Sequence, residues 1–124
     1  MSPRFEQQTG PAGVPFIQGY AAGGFRVAGA SYAGGVLVMP SGVAPWTAGP
    51  VADLTAEDFA AIGPEVEVVL LGTGATMARP PRAVGEALKA RGLTMDFMDS
   101  KAAARTYNVL AGEGRRVAAA LLPL

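Results

Sequence analysis

The residues best placed to do chemistry are Gly72-Thr73-Gly74, which directly follow the apolar run from Val66 to Leu71. That run is the strongest buried-strand signal in the chain, because a strand covered on both faces is continuously apolar. Glycines at its exit allow a sharp turn with free backbone N–H groups, which can bind an anion. Arg79 would add a positive charge. The pattern predicts either a small-ligand site or simply a tight strand exit.

A second polar segment, Asp99-Ser100, follows the alternating run from Thr94 to Met98. Ligands of open α/β sheets lie beyond the carboxyl ends of parallel strands, so the two polar segments meet if their strands are neighbours. A helix that starts near Ser100 would present further N–H groups, unless Asp99 serves only as its N-cap. The glycine pattern lacks the Lys-Ser/Thr pair of a P-loop and the third glycine of a dinucleotide fingerprint.

The composition excludes several classes of site. The 124 residues include no Cys and no His, so disulfides, thiol catalysis, a Ser-His-Asp triad and zinc sites built on those residues are excluded. Ten basic and ten acidic residues cancel, and nothing in this balance points to nucleic acid. We therefore expect no cofactor and no metal, and we favour a non-enzyme while leaving enzymatic activity open.

The chain also lacks the usual membrane and export signals. No apolar run approaches the roughly 20 residues that a membrane-spanning helix needs. Residues 1–15 have neither the apolar core of a secretion signal nor the character of a mitochondrial presequence, so we expect a cytoplasmic protein. We interpret residues 1–15, with three prolines, as a loose arm and residues 16–124 as a single α/β domain.

The first half of this domain has β character. Phe25–Met39 alternates like antiparallel strands, with Gly34-Gly35 as a hairpin-type turn. Pro40–Pro50 is interpreted as a turn-rich connection, whose tryptophan we expect to cover one end of the core. A short helix then follows, with Thr55 as its N-cap and Asp58 in the capping-box position.

The second half reads as strand, helix, strand, helix, strand. One helix starts at Pro80-Pro81 and stops at Gly92; the other runs from Lys101 to about Leu110. A final apolar strand begins at Val117. This order is typical of right-handed parallel crossovers. It predicts a central mixed β-sheet with the helices on one side and the N-terminal β segment covering another part.

From about residue 16 to the C-terminus, the chain resembles a known family. It is similar to the small bacterial and archaeal domain-of-unknown-function family related to mitochondrial respiratory complex I assembly factor three (the adipogenesis-associated domain protein family). The motifs that carry the resemblance are Phe25-Arg26-Val27, Tyr32-Ala33-Gly34, Val36-Leu37-Val38, Trp46, Leu54-Thr55, Leu70-Leu71-Gly72-Thr73-Gly74, Pro80-Pro81, Asp99, Arg105-Thr106-Tyr107-Asn108-Val109-Leu110, Glu113-Gly114-Arg115-Arg116 and Val117-Ala118-Ala119-Ala120-Leu121.

This resemblance implies a three-layer α/β fold and no firmly assigned reaction. The eukaryotic relative is a non-catalytic factor that helps to assemble complex I, so the resemblance implies a non-enzymatic interaction or assembly protein whose partner is another protein. Some relatives have a Cys where this chain has Ala104, so a thiol role does not apply here. The alternative is a small-ligand (anion) binding protein or weak enzyme that uses the Gly72-Thr73-Gly74 loop.

The predicted partner surface lies on and after the last helix. Arg105 and Asn108 fall outside its apolar stripe of Ala103, Tyr107 and Leu110, so we expect both to point outward. Arg115-Arg116 would either contact the partner or cap the carbonyl groups of the preceding helix. A homodimer is a further option, because exposed strand edges need cover.

Overall fold

A small antiparallel sheet forms the N-terminal layer of the protein. The computed structural model describes residues 13–21 and 23–124. In order, the strands of this sheet are β1 (Ile17–Ala21), β2 (Gly24–Val27) and β3 (Ala30–Ala33). Phe25 and Val27 are buried and Arg26 between them is exposed, as the twofold side-chain period of a strand requires.

The central sheet has five strands and mixed directions. Its strands, from edge to edge, are β5 (Gly42–Trp46), β4 (Gly35–Met39), β8 (Val117–Leu121), β6 (Val68–Gly72) and β7 (Thr94–Met98). β4 is antiparallel to β5 and to β8, whereas β6 is parallel to β8 and to β7. Both β4 and β8 are buried along their whole length, because the sheet is covered on both faces.

The two α-helices, α1 (Arg82–Ala90) and α2 (Ser100–Gly112), lie on opposite faces of this sheet. β7 lies on one side of β6 and β8 on the other. The connection from β7 to β8 therefore runs across the sheet in the opposite direction to the connection from β6 to β7. A right-handed connection that reverses direction places its helix on the other face. The mixed sheet and the α/β class are confirmed, but the expectation that the helices share one side is wrong.

Each face of the sheet has its own core, which gives three layers. Side chains of α1 pack with Phe59 and Ile62 of the 51–62 segment against Val69 and Leu71. Trp46 belongs to the same cluster, as expected for a residue that covers one end of the core; its indole N–H donates to the Asp58 carbonyl at 2.8 Å. On the opposite face, α2 and the small sheet cover the other side of β4, β6 and β8.

Two expectations for the first half are wrong. Gly34-Gly35 is not a hairpin turn: Gly34, with a φ of 80°, leads the chain out of the small sheet, and Gly35 begins β4. The hairpin turn of this region is at Ala28-Gly29, between β2 and β3. Likewise, the region from Pro40 to Pro50 contains β5. Its Pro45, which has no N–H, is tolerated there because β5 is an edge strand.

The helix boundaries follow the local signals. Gly92 ends α1 and Gly114 ends α2. Each glycine donates its N–H to a carbonyl of the last turn, and the residue after each glycine donates its N–H to the carbonyl one residue earlier in the helix. This is the Schellman arrangement. The 51–62 segment contains two short 3₁₀ helices, Val51–Asp53 and Ala56–Phe59. At the start of the second, the Asp58 carboxylate accepts from the Thr55 N–H at 2.9 Å.

Most of the expected N-terminal arm, residues 1–12 of 1–15, lies outside the described residues. Its last member, Pro15, is buried, and its carbonyl accepts a hydrogen bond from the Tyr107 hydroxyl at 2.8 Å.

We expect Gly85→Ala to stabilise the protein, because a helix-interior glycine costs about 0.5–1 kcal/mol relative to alanine. A Cβ built on Gly85 comes no closer than 3.7 Å to the methyl carbon of Met95. Chemical denaturation would measure the gain.

Gly35→Ala is the matched control. Its Cβ would lie 2.8 Å from the Leu121 carbonyl oxygen, so we expect a loss of about 2 kcal/mol or more. A neutral Gly35→Ala would contradict the close packing described for β4.

Candidate functional site

Ser100 joins the carboxyl ends of the parallel strands. Its hydroxyl donates to the Leu122 carbonyl at 2.7 Å and accepts from the Gly74 N–H at 2.9 Å. Its own N–H donates to the Gly74 carbonyl at 2.8 Å. Ser100 is fully buried, and a Cβ at Gly72 would lie 2.7 Å from its oxygen, so only glycine fits there. The two predicted polar segments therefore do meet, as neighbouring β6 and β7 require.

The glycine loop directs its donors to protein atoms. The N–H of Thr73 donates to the Met98 carbonyl at 2.8 Å. The Thr73 hydroxyl donates to the Thr76 carbonyl at 2.7 Å and accepts from the Ala78 N–H at 3.1 Å. Together with the bond from Gly74 to Ser100, these contacts hold the loop against α2. They favour the interpretation as a tight strand exit over an anion cradle.

Asp99 and Arg79 do not converge on this loop as a charged pair. The Asp99 carboxylate accepts from the Ala102 N–H at 2.9 Å, so it is the N-cap of α2. This carboxylate places negative charge where an anion would have to bind. The Arg79 guanidinium lies 5.3 Å from the centre of the Phe97 ring, which packs with the α1 side of the sheet.

A shallow cavity of about 460 Å³ adjoins Thr73 and Gly74. Its other walls are mainly apolar, supplied by Pro50, Val51 and the C-terminal segment 122–124. Such a surface suits an apolar group better than a phosphate. In the described part of the chain, no three acidic side chains group to hold a metal ion.

Asn108 has a structural role that the sequence pattern did not reveal. Its side-chain carbonyl accepts from the Ile17 N–H at 2.9 Å, and its amide donates to the Ile17 carbonyl at 2.7 Å. The expectation that it points away from the packed side of α2 is therefore wrong. Asn108 holds β1 against α2, and any effect on a partner would act through the position of the small sheet.

The arginines of the predicted partner surface are exposed. Arg105 donates to the Tyr20 hydroxyl at 3.3 Å, and the Lys101 ammonium lies 5.9 Å from the centre of the Tyr20 ring. Arg115 and Arg116 both approach the Glu67 carboxylate, at 4.0 and 3.7 Å. Exposed pairs of this kind contribute little stability, so these charges are available to an interface.

Sequence reasoning missed two further anchoring residues. Tyr107 lies in the core, as its position on the apolar stripe of α2 predicts, but no local pattern indicates its bond to the Pro15 carbonyl. Burial raises the pKa of Tyr107 above the usual tyrosine value. Arg91 donates to the carbonyls of Phe59 and Ile62 and so ties α1 to the 51–62 segment. The local signal is an arginine at the C-cap of α1, but its partners are distant in sequence.

We expect Ser100→Ala to destabilise the protein by about 1–3 kcal/mol, because the Gly74 N–H and the Leu122 carbonyl lose their buried partner. Ser31→Ala, at an exposed position of β3, is the control and should be close to neutral. Unchanged stability of Ser100→Ala in denaturant titrations would show that the junction does not hold the strand ends.

The anion-binding alternative stays a prediction that an amide NMR titration can test. Because the loop donors are already engaged, we expect millimolar phosphate, adenine nucleotides and small carboxylates to leave Gly72-Thr73-Gly74 and Ser100 unshifted. Saturable shifts confined to these residues would instead favour a ligand site.

Within the described residues, no helix has the length and apolar character needed to cross a membrane.

Comparison with known proteins agrees with this architecture. An uncharacterized protein of Rhodobacter capsulatus is 43% identical over 124 residues, which are 100% of this chain and 94% of that protein. The NADH dehydrogenase [ubiquinone] 1 alpha subcomplex assembly factor 3 of Danio rerio is 36% identical over 110 residues. That match covers 86% of this chain but only 63% of the relative's length.

A crystal structure of a protein from Bordetella parapertussis has the same fold, with a TM-score of 0.81 and 36% identity. The match covers 90% of this chain and 97% of that one. The model of the family described as "Protein of unknown function (DUF498/DUF598)" matches residues 17–122, which include both sheets and both α-helices. The chain therefore belongs to the DUF498/DUF598 family.

Proposed function

We propose that this chain is a non-enzymatic protein-interaction factor that assists the assembly of a larger protein complex. The observation that carries the proposal is the 36% identity to a relative named as a complex I assembly factor. The match spans most of this chain, so the proposal concerns the domain as a whole rather than one motif.

The site geometry is consistent with this function. At the strand ends, the polar groups of Thr73, Gly74 and Ser100 bond to one another or to nearby backbone. Three exposed arginines lie away from these groups, one on α2 and two directly after it: Arg105, Arg115 and Arg116. Charges at the rim of an interface direct encounter and orientation more than they add affinity. We therefore propose these three arginines as part of the partner-binding surface.

Affinity capture from an extract of the encoding organism tests the proposal. We expect the tagged chain to retain a discrete set of proteins, and Arg115→Glu/Arg116→Glu to retain about tenfold less of them. The matched control is Arg82→Glu/Lys89→Glu, which reverses two exposed charges on α1, on the other side of the sheet.

Capture of no specific protein by the wild-type chain would contradict the proposed function. Equal capture by both double variants would contradict the location only. The cytoplasmic location expected from the sequence remains part of the proposal, and fractionation of cells that express the tagged chain tests it.

A further inference from the structure

The exposed charges of α2 oppose the direction that its helix dipole favours. Lys101 lies in the first turn and Arg105 in the second, whereas Glu113 is the C-cap residue. Cations are favourable near the C-terminus of a helix and anions near the N-terminus. Within the described residues, none of these three side chains is within 4 Å of an opposite charge. Lys101 and Arg105 both contact the Tyr20 side chain, but neither that contact nor the helix dipole accounts for an acidic residue at the C-cap.

An exposed apolar residue lies midway between two of these charges. Val109 is 58% exposed, which is unusual among the large apolar side chains of the described chain. It follows Arg105 by four residues and precedes Glu113 by four, so the three side chains lie along one side of the helix. On one flank of this side, Ala102 and Thr106 carry small side chains and let another helix approach. On the other flank, Lys101 and Gly112 border the aromatic rings of Tyr20 and Phe16.

This stripe of Arg105, Val109 and Glu113 is complementary to itself. If a second copy of α2 lies antiparallel across it with Val109 on the twofold axis, each Arg105 faces the second copy's Glu113. An isologous interface uses the same patch on both subunits, which this symmetric spacing satisfies. A partner with an unrelated sequence would not require the two charges to be equally distant from the apolar residue.

We propose that two copies of this chain associate through α2, antiparallel, with Val109 against Val109 and Arg105 against Glu113. The hydrogen bond to Tyr20 leaves most of the five N–H donors of the Arg105 guanidinium free for that carboxylate. The proposal deepens the proposed function, on which it rests in treating α2 as a docking surface, and it names a second copy as the occupant. Contact over a few helical turns is small, so the dimer is weak.

Sedimentation of the purified chain at concentrations up to about 1 mM, where weak dimers of this affinity class form, tests the proposal. We expect the average mass of the wild-type chain to rise with concentration. Arg105→Glu and Glu113→Arg should each weaken association at least tenfold, because each places like charges opposite one another. Glu113→Arg suits the helix dipole, so its loss of association cannot be ascribed to a weaker helix.

Mixing the two variants gives the decisive result. In a heterodimer of Arg105→Glu with Glu113→Arg, both interhelical pairs are again of opposite charge, so the mixture should regain association that neither variant shows alone. Lys89→Glu on α1 is the control and should associate like the wild type.

Three results would overturn the inference: a monomeric wild-type chain across this range, single variants that dimerise as well as the wild type, or a mixture that fails to recover. The two proposals fail separately. A monomeric chain that still captures proteins from extract overturns only the dimer, whereas a dimerising chain that captures none overturns only the proposed function.

Discussion

The architecture depends on the close approach of α2 to the end of β6, where Ser100 lies against Gly72. A buried hydroxyl is tolerated only when it is hydrogen-bonded, and this one reaches both the Gly74 N–H and the Leu122 carbonyl. It thereby connects the ends of β6 and β8 to the start of α2. Position 72 requires glycine because a Cβ there would lie 2.7 Å from the Ser100 hydroxyl oxygen and 2.7 Å from a methyl carbon of Leu121.

Close approach also explains the composition of the central strand. β8 contains three consecutive alanines, and both faces of β8 are covered. Ala119 faces α2 together with the equally small Ala103 and Ala104 on the helix. Small side chains on both sides let the helix and sheet pack closely while larger residues of neighbouring strands fill the remaining volume. On the α2 face, the side chains are therefore smallest at the middle of β8 and larger on the neighbouring strands β4 and β6.

Patterns that act over a few residues were predictable from the sequence. The buried strand at 68–72, the stops at Gly92 and Gly114, and the capping role of Asp58 each depend on neighbours along the chain. The placement of the helices on opposite faces was not predictable from the sequence, because it depends on which strands become neighbours in space. The same holds for Asn108 and Ile17, which are 91 positions apart. Exposed polar residues on a helix look alike in sequence until their distant partners are known.

The bond between Asn108 and Ile17 has a consequence for the edge of the small sheet. A primary amide has the same donor and acceptor as a peptide group, and both contact one backbone residue of β1. Asn108 thus occupies the position that a further strand would take. Open strand edges can pair with other chains and promote aggregation, and the Asn108 side chain covers the edge of β1 at Ile17. Helix α2 thus covers part of one edge of the small sheet, at β1, with a side chain in place of a neighbouring strand.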